Sequence, residues 1–368
     1  MAAPANQFRP DYAVPPGWIL EERLEVQNMS QAEFARRCGR SSKLISEIIA
    51  GKAPLEPETA IQFEKVLGMD AALWLSIESE YQLLRAREAD TARAADAIGW
   101  AKSLPVMDLV KRGAIARPLN PADAVSKLLT FFGVGSLEAW HRQYGLAQVA
   151  YRHSPAFKSD EAALATWLRL GELDAEQQDC AEYNETLFKH ALKEIRSLTC
   201  ELVEHSIPRA RELCNQAGVA LALVPPLAKT ALSGAAWWLS PRKAVIQLSA
   251  RHKSDDHLWF SFFHEAAHIL LHSKKSVFVD DKSRDGNEEE NEADTWASNF
   301  LIGERAFQQF VASETLSEKA VRAFAEEQSV APGIVVGMLQ HNGILPWSHL
   351  NGLKARLAWS EKNEAEPS

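Results

Sequence analysis

Two histidines four residues apart, His264 and His268, carry the chemistry that is easiest to read in this chain. On a helix, positions i and i+4 lie about 40° apart around the axis, so both imidazoles reach one cation. Glu265 follows the first histidine and points to a neighbouring side. From there it reaches a water polarised at the cation, rather than the cation itself, and can take that water's proton. Hydrolysis assisted by zinc is the chemistry such a trio serves. The flanking residues, Leu258-Trp259-Phe260-Ser261-Phe262-Phe263 before and Ile269-Leu270-Leu271 after, are apolar on nearly every face, which predicts a buried helix. Two histidines and a glutamate in a buried helix are costly unless something binds them.

A catalytic zinc site takes three protein ligands, so a third must come from elsewhere. Residues 288–302 supply it on a second helix, whose apolar face is Ala293, Trp296, Ala297, Phe300 and Leu301. Glu290 and Asp294 are four apart and project together. Glu290 can ligate while Asp294 orients a ligand histidine through its other ring nitrogen. Glu292 is the alternative ligand. Glu288 and Glu289 suit a solvated helix start, where negative charge meets the dipole. His272, four beyond His268, is read as packing or capping. A donor to a developing oxyanion is also needed. His341 and Arg251 are polar enough to serve, and both are read as structural.

The metal helix needs a support. Residues 218–225, 234–240 and 244–249 are short apolar runs that predict a small sheet just ahead of it. Residues 273–287 are polar and predict a surface loop. Beyond residue 305, helices are expected over 317–327, 332–340 and 347–359, with a frayed end at 361–368.

The N-terminal text has a different character. Ser30 with Glu33 forms a capping box, and Gly39 ends that helix. Ser41 or Ser42 caps a second helix through Ile49, stopped by Gly51. Apolar Phe34, Ala35, Leu44, Ile45 and Ile48 complete a helix-turn-helix pattern. In that motif the second helix enters the major groove, which turns Ser42, Lys43 and Ser46 toward bases or phosphates. Gln31, at the first helix's N-terminus, is placed to hold a phosphate. Lys52, with Arg36, Arg37 and Arg40, adds local positive charge.

Between the two ends lies a helical connector, with helices expected over 81–95, 122–132, 136–144, 160–170 and 182–204. Phe131, Phe132, Trp140 and Trp167 are read as core, and Arg152 and His153 as solvated. The chain's 368 residues suit two or three domains. A net charge of -9 excludes a polycation and leaves nucleic-acid binding to a local patch. Cys38, Cys180, Cys200 and Cys214 are scattered without a C-x-x-C, as in reduced proteins. No run is apolar enough to span a membrane and no secretory leader is visible, so the expected location is cytoplasmic.

Residues 15–82 resemble the XRE (lambda-repressor-like) helix-turn-helix family, and more closely the HigA-type antitoxin repressors. The matching residues are Pro16-Gly17, Met29-Ser30-Gln31, Phe34-Ala35, Ile45 to Ile49, Gly51-Lys52, Pro57, Thr59-Ala60 and Trp74-Leu75. His264-Glu265-x-x-His268 followed by Glu290-x-x-Ala293-Asp294-x-Trp296-Ala297 resembles the ImmA/IrrE metallopeptidases. Gly303 stands where that family usually has proline, and Trp296 where it usually has phenylalanine. The resemblances imply Zn2+ held by His264, His268 and Glu290, with Glu265 as general base. They imply operator DNA as a partner, a homodimer, and a protein substrate or cognate toxin. The expected fold is α+β and mostly α. It comprises a DNA-binding domain over 1–82, a connector over 83–214, a zincin-like core over 215–305 and a helical end over 306–368. The expected function is a regulator with a zinc peptidase domain that cleaves a partner. The alternative is a repressor or antitoxin whose metal domain senses a ligand or binds a toxin.

Overall fold

The structure, a computed structural model, describes residues 13–151, 160–228, 230, 232–272, 278–279, 288–313 and 316–357. The readings for Arg152, His153, residues 361–368 and most of the 273–287 loop lie outside these. The chain divides into two compact units, Met1–Gly99 with Asn120–Val125, and Trp100–Leu119 with Ser126–Ser368.

The first unit is helical: α1 (Pro16–Val26), α2 (Gln31–Cys38), α3 (Ser42–Ile49), α4 (Pro57–Leu67) and α5 (Ala71–Asp96). Short polar side chains set the starts. The Ser30 hydroxyl accepts the Glu33 N–H at 3.2 Å, and the Ser41 hydroxyl accepts that of Leu44 at 3.2 Å. Ser41 is therefore the cap, and Ser42 is the first residue of α3. Leu20, Phe34, Ile45, Ile48, Phe63 and Trp74 fill the core. Gly17 lets α1 press against the carbonyls of Ile48 and Ile49, where a Cβ would clash. The helix expected over 81–95 is the second half of α5, one continuous helix of 26 residues.

α6 (Ile98–Ser103) crosses the division and leads to α7 (Val106–Lys111), α8 (Pro121–Phe132), α9 (Leu137–Tyr151) and α10 (Glu161–Gln177). The long helix expected over 182–204 is instead two, α11 (Glu185–Leu198) and α12 (Val203–Gln216). Asn184 caps the first by accepting the Leu187 N–H at 3.0 Å, and the Thr199 hydroxyl closes it on the Arg196 carbonyl at 2.7 Å. α12 runs through Pro208, a residue that argues against a helix interior when read locally.

The sheet comprises β1 (Val219–Leu223), β2 (Gly234–Ser240), β3 (Lys243–Leu248) and, after α13 (Asp255–Leu271), a short β4 (Phe278–Val279). Its order is β1-β3-β2-β4. β1 is parallel to β3, with Val219 opposite Ala244. β2 is antiparallel to β3, with Gly234 opposite Leu248. β4 pairs with β2 through Ala235 and Val279. It was not expected, since it interrupts the stretch read as loop. Both sheet faces are covered, which explains why the strands read as unbroken apolar runs. Val219, Leu221, Ala236, Ala244 and Ile246 pack with α13, while Ala220, Ala222, Ala235 and Val245 pack with Leu164 and Trp167 of α10.

α14 (Glu288–Leu301), α15 (Glu304–Ala312), α16 (Glu318–Gln328) and α17 (Pro332–His341) complete the described helices. The helix expected over 347–359 is not formed by the described residues. A 3-10 turn, Asn351–Leu353, follows Leu350 at φ 57°. The chain then runs along the head of α13, where Ala355 O accepts the Asp255 N–H at 3.0 Å. Pro346 and Gly352 favour this course over a helix.

Candidate functional site

α13 is buried along most of its length, wedged between the sheet, α14 and α17. Its i, i+4 geometry brings Nε2 of His264 and Nε2 of His268 to 3.0 Å from each other. Glu290, on the buried face of α14, places Oε2 at 3.3 Å from the first nitrogen and Oε1 at 3.8 Å from the second. His264, His268 and Glu290 are all buried and are the group of possible metal-ligating side chains found among the described residues. Donors about 2.0–2.1 Å from a tetrahedral ion lie roughly 3.3 Å from one another, so these separations fit zinc. Two neutral imidazoles and one carboxylate are also the donor types zinc takes at hydrolytic centres.

Nδ1 of His264 lies 2.8 Å from Oδ1 of Asp294. That contact puts the imidazole proton on Nδ1 and leaves the Nε2 lone pair toward Glu290 and His268. Glu292 stands elsewhere, with Oε2 3.3 Å from Nε2 of His272. His272 in turn meets Nδ1 of His268 at 2.8 Å. Neither contact was anticipated, although the repeat of four from His268 to His272 already put both rings on one side of the helix.

Glu265 is fully buried and faces β2. A Cβ on Gly234 would lie only 2.5 Å from its Oε1, so glycine at the start of β2 makes room for this carboxylate. Beside the site lies a cavity of about 520 Å3. Its α13 wall follows the helical repeat back from His264 through Phe260 and Ser261 to His257 and Asp256. Glu290 and Asp294 form the α14 side, and Met338 and His341 the α17 side. The structure thus brings His341 to the cavity of the ligand set. Arg251 lies with His252 and Lys253 in a smaller hollow that shares Ser233, His257 and Ser261 with the cavity.

The far end of this wall holds a buried ion pair that sequence reasoning missed. Asp256 meets Lys354 Nζ at 2.6 Å, and the neighbouring Asp255 accepts the Ala355 N–H at 2.9 Å. Burial first, and then the charge of Asp256, pushes the Asp255 carboxyl up to about 6.

In the first unit, Gln31, Ser42, Lys43, Ser46 and Lys52 are all exposed. Ser42, Lys43 and Ser46 lie on α3, Gln31 opens α2, and Lys52 follows the end of α3. The surrounding positive charge is partly matched. Arg36 and Arg37 both pair with Glu33, and Arg40 is held by Gln62 at 2.6 Å and Glu58 at 3.3 Å.

These two sites belong to different kinds of domain, and comparison with known proteins assigns each. Residues 20–74 match the helix-turn-helix family, and residues 217–333 match the IrrE N-terminal-like domain of the M78 peptidases. The chain is 36% identical over 73 residues to an uncharacterized HTH-type transcriptional regulator, YddM, of Escherichia coli, covering 20% of this chain and 78% of that one. A putative antidote protein of a plasmid maintenance system from Nostoc punctiforme is 28% identical. The match covers 21% of this chain and 85% of that one, with a TM-score of 0.21. A HigA-family addiction module antidote protein from Coxiella burnetii is 23% identical over 24% of this chain and 95% of that one, also at 0.21. This chain belongs to the HTH-type transcriptional regulators through its N-terminal domain, and it carries an IrrE-like peptidase-family domain behind it. No helix among the described residues is long and apolar enough to cross a membrane.

Proposed function

We propose that this protein is a DNA-binding regulator whose second unit is a zinc-dependent peptidase acting on a protein partner. The observation that carries the reading is the convergence of His264, His268 and Glu290, the first and last of them lining a cavity, with Glu265 on the same helix turn. Zinc held by the three would supply Lewis acidity toward water and toward an amide carbonyl. Asp294 fixes the His264 ring and keeps its proton on Nδ1. The Glu265 carboxylate takes a proton from the attacking water and returns it to the departing amine, the part its place beside the ligands allows. The cavity is large enough for a side chain of an extended peptide, and Phe260 and Met338 give it an apolar stretch of wall. Operator binding runs through α3, with Ser42, Lys43 and Ser46 at the groove and Gln31 and Lys52 on the backbone.

The test uses full-length protein. Metal analysis is expected to find one zinc per chain. New protein N-termini generated in a host lysate are then compared between wild type and Glu265→Gln. Termini produced only by the wild type support the reading. Identical terminal profiles from zinc-loaded samples of both would refute the peptidase, and a wild type with no affinity for zinc would refute the metal site.

A further inference from the structure

Asp294 serves one ligand histidine, and the other has an arrangement of its own. Nδ1 of His268 lies 2.8 Å from Nδ1 of His272, and Nε2 of His272 lies 3.3 Å from Oε2 of Glu292. The His272 side chain is 4% exposed and that of Glu292 60% exposed, so the contact with His268 is the more buried of the two. Local backbone explains the geometry. α13 ends at Leu271, and His272 leaves the helix with φ −109° and ψ 172° while its N–H still donates to the His268 carbonyl at 3.2 Å. The ring is thereby laid back over the preceding turn.

The proton positions follow from the contacts. For Nε2 of His268 to offer its lone pair toward His264 and Glu290, its proton must sit on Nδ1. That N–H then donates to Nδ1 of His272, which must carry a lone pair. The proton of His272 is therefore on Nε2, where it donates to Glu292. One set of tautomers satisfies all three groups. Reversing it would turn the Nε2–H of His268 toward His264 and Glu290 and close that nitrogen to a cation.

We infer that His272 and Glu292 are positioning residues, a two-step relay that fixes the ring and tautomer of His268 as Asp294 fixes those of His264. The inference rests on the metal-site reading above. It also gives Glu292 a role distinct from that of a rival ligand. The burial of His272 and exposure of Glu292 grade the two effects, with His272 the larger.

The test measures zinc affinity of the full-length protein against a chromophoric chelator, with the visible absorption of cobalt(II) as a geometric readout. Asparagine at 272 retains an acceptor near the position of Nδ1, whereas leucine retains only volume. His272→Asn is expected to stay within about threefold of wild type, and His272→Leu to bind zinc about 10–100-fold more weakly with an altered cobalt spectrum. Glu292→Gln is expected to lose only a few-fold. If the leucine variant binds zinc as tightly as the asparagine variant and with the wild-type cobalt spectrum, His272 merely fills space and the inference fails. If wild type itself binds neither metal, the failure lies with the metal site.

Discussion

Gly234 shows how much of the site depends on a single absent methyl group. Its Cα lies against Glu265, and a Cβ there would sit 2.8 Å from Cγ and 3.0 Å from Cδ of that side chain. Gly234→Ala should push the carboxylate aside without touching His264, His268 or Glu290. Displacing a proton-transfer group by about 1 Å can cost on the order of 100-fold in rate. The expected result is unchanged zinc affinity with cleavage reduced by about that factor, measured on a substrate found in the lysate comparison; wild-type cleavage by this variant would refute the role of the glycine. Asp255 offers a second single-residue test. Its carboxyl, at about 6, lies above the unfolded value of about 3.9, so the folded protein holds the extra proton between those values. The favourable contribution is complete below about pH 4 and is lost as pH rises through about 6. Asp255→Asn keeps an acceptor for the Ala355 N–H and removes the charge. Relative to wild type, its urea stability should rise by on the order of 1 kcal/mol between pH 4 and 7, and a pH-independent difference would exclude this account. The pairing of His264 with His268 was legible because it is local helix geometry. Glu290 is preferred over Glu292 for its spacing from Asp294 and by resemblance, while one helix start offers both; in the structure Glu290 lies near the histidines and Glu292 near His272. Gly234 was not legible at all, since nothing near it in sequence mentions Glu265.

At the level of elements, the position of α14 decides whether Glu290 reaches the histidines. Ala293 and Ala297 on its buried face keep the approach to α13 short. Its far end is held by Arg196 of α11, whose guanidinium donates to the carbonyls of Phe300 at 2.9 Å and Leu301 at 2.7 Å, and to that of Gln328 at the end of α16 at 2.7 Å. A cation on two helix C-termini opposes their dipoles and satisfies their last carbonyls. Arg196→Ala should destabilise the protein by about 2–3 kcal/mol, the usual loss for hydrogen bonds to a charged group. Arg196→Lys should recover only part, since an ammonium cannot span the same fork. Urea midpoints check both, and an alanine variant as stable as wild type would show that the helix ends hold themselves. None of this linkage was visible in the sequence, where Arg196 is one of many charges on an amphipathic helix. The strands β1 to β3 and helices α10, α16 and α17 were readable because period, caps and turn residues all act locally. β4, α12 and the extended residues 354–357 depend on partners far along the chain, and local propensity pointed elsewhere.

For the molecule as a whole, the helix-turn-helix domain and the proposed metal site fall in different units. Residues 20–74, matched by the helix-turn-helix family, lie wholly in the first, and every proposed zinc ligand lies in the second. The net charge of -9 works against nucleic acid, and two arginines near α3 already face Glu33. Under the proposed function, operator binding comes from a small exposed patch on the first unit, and none of its residues is a proposed zinc ligand. The division gives a test of full-length protein by calorimetry. A ligand present at 100 times its Kd stabilises its binding unit by about 2.7 kcal/mol, or roughly 5–10 °C for a unit of this size. Removing zinc with a chelator should therefore lower the midpoint of the larger unit by about that much and leave that of the helix-turn-helix unit in place. His264→Ala should abolish the difference between chelated and zinc-loaded samples without shifting the smaller unit. Affinity for an operator duplex, measured in parallel at fixed salt, should be the same with and without zinc. A chelator that lowers both midpoints together, or that releases the duplex, would show that metal occupancy is read by the DNA-binding unit and that the two units do not act separately.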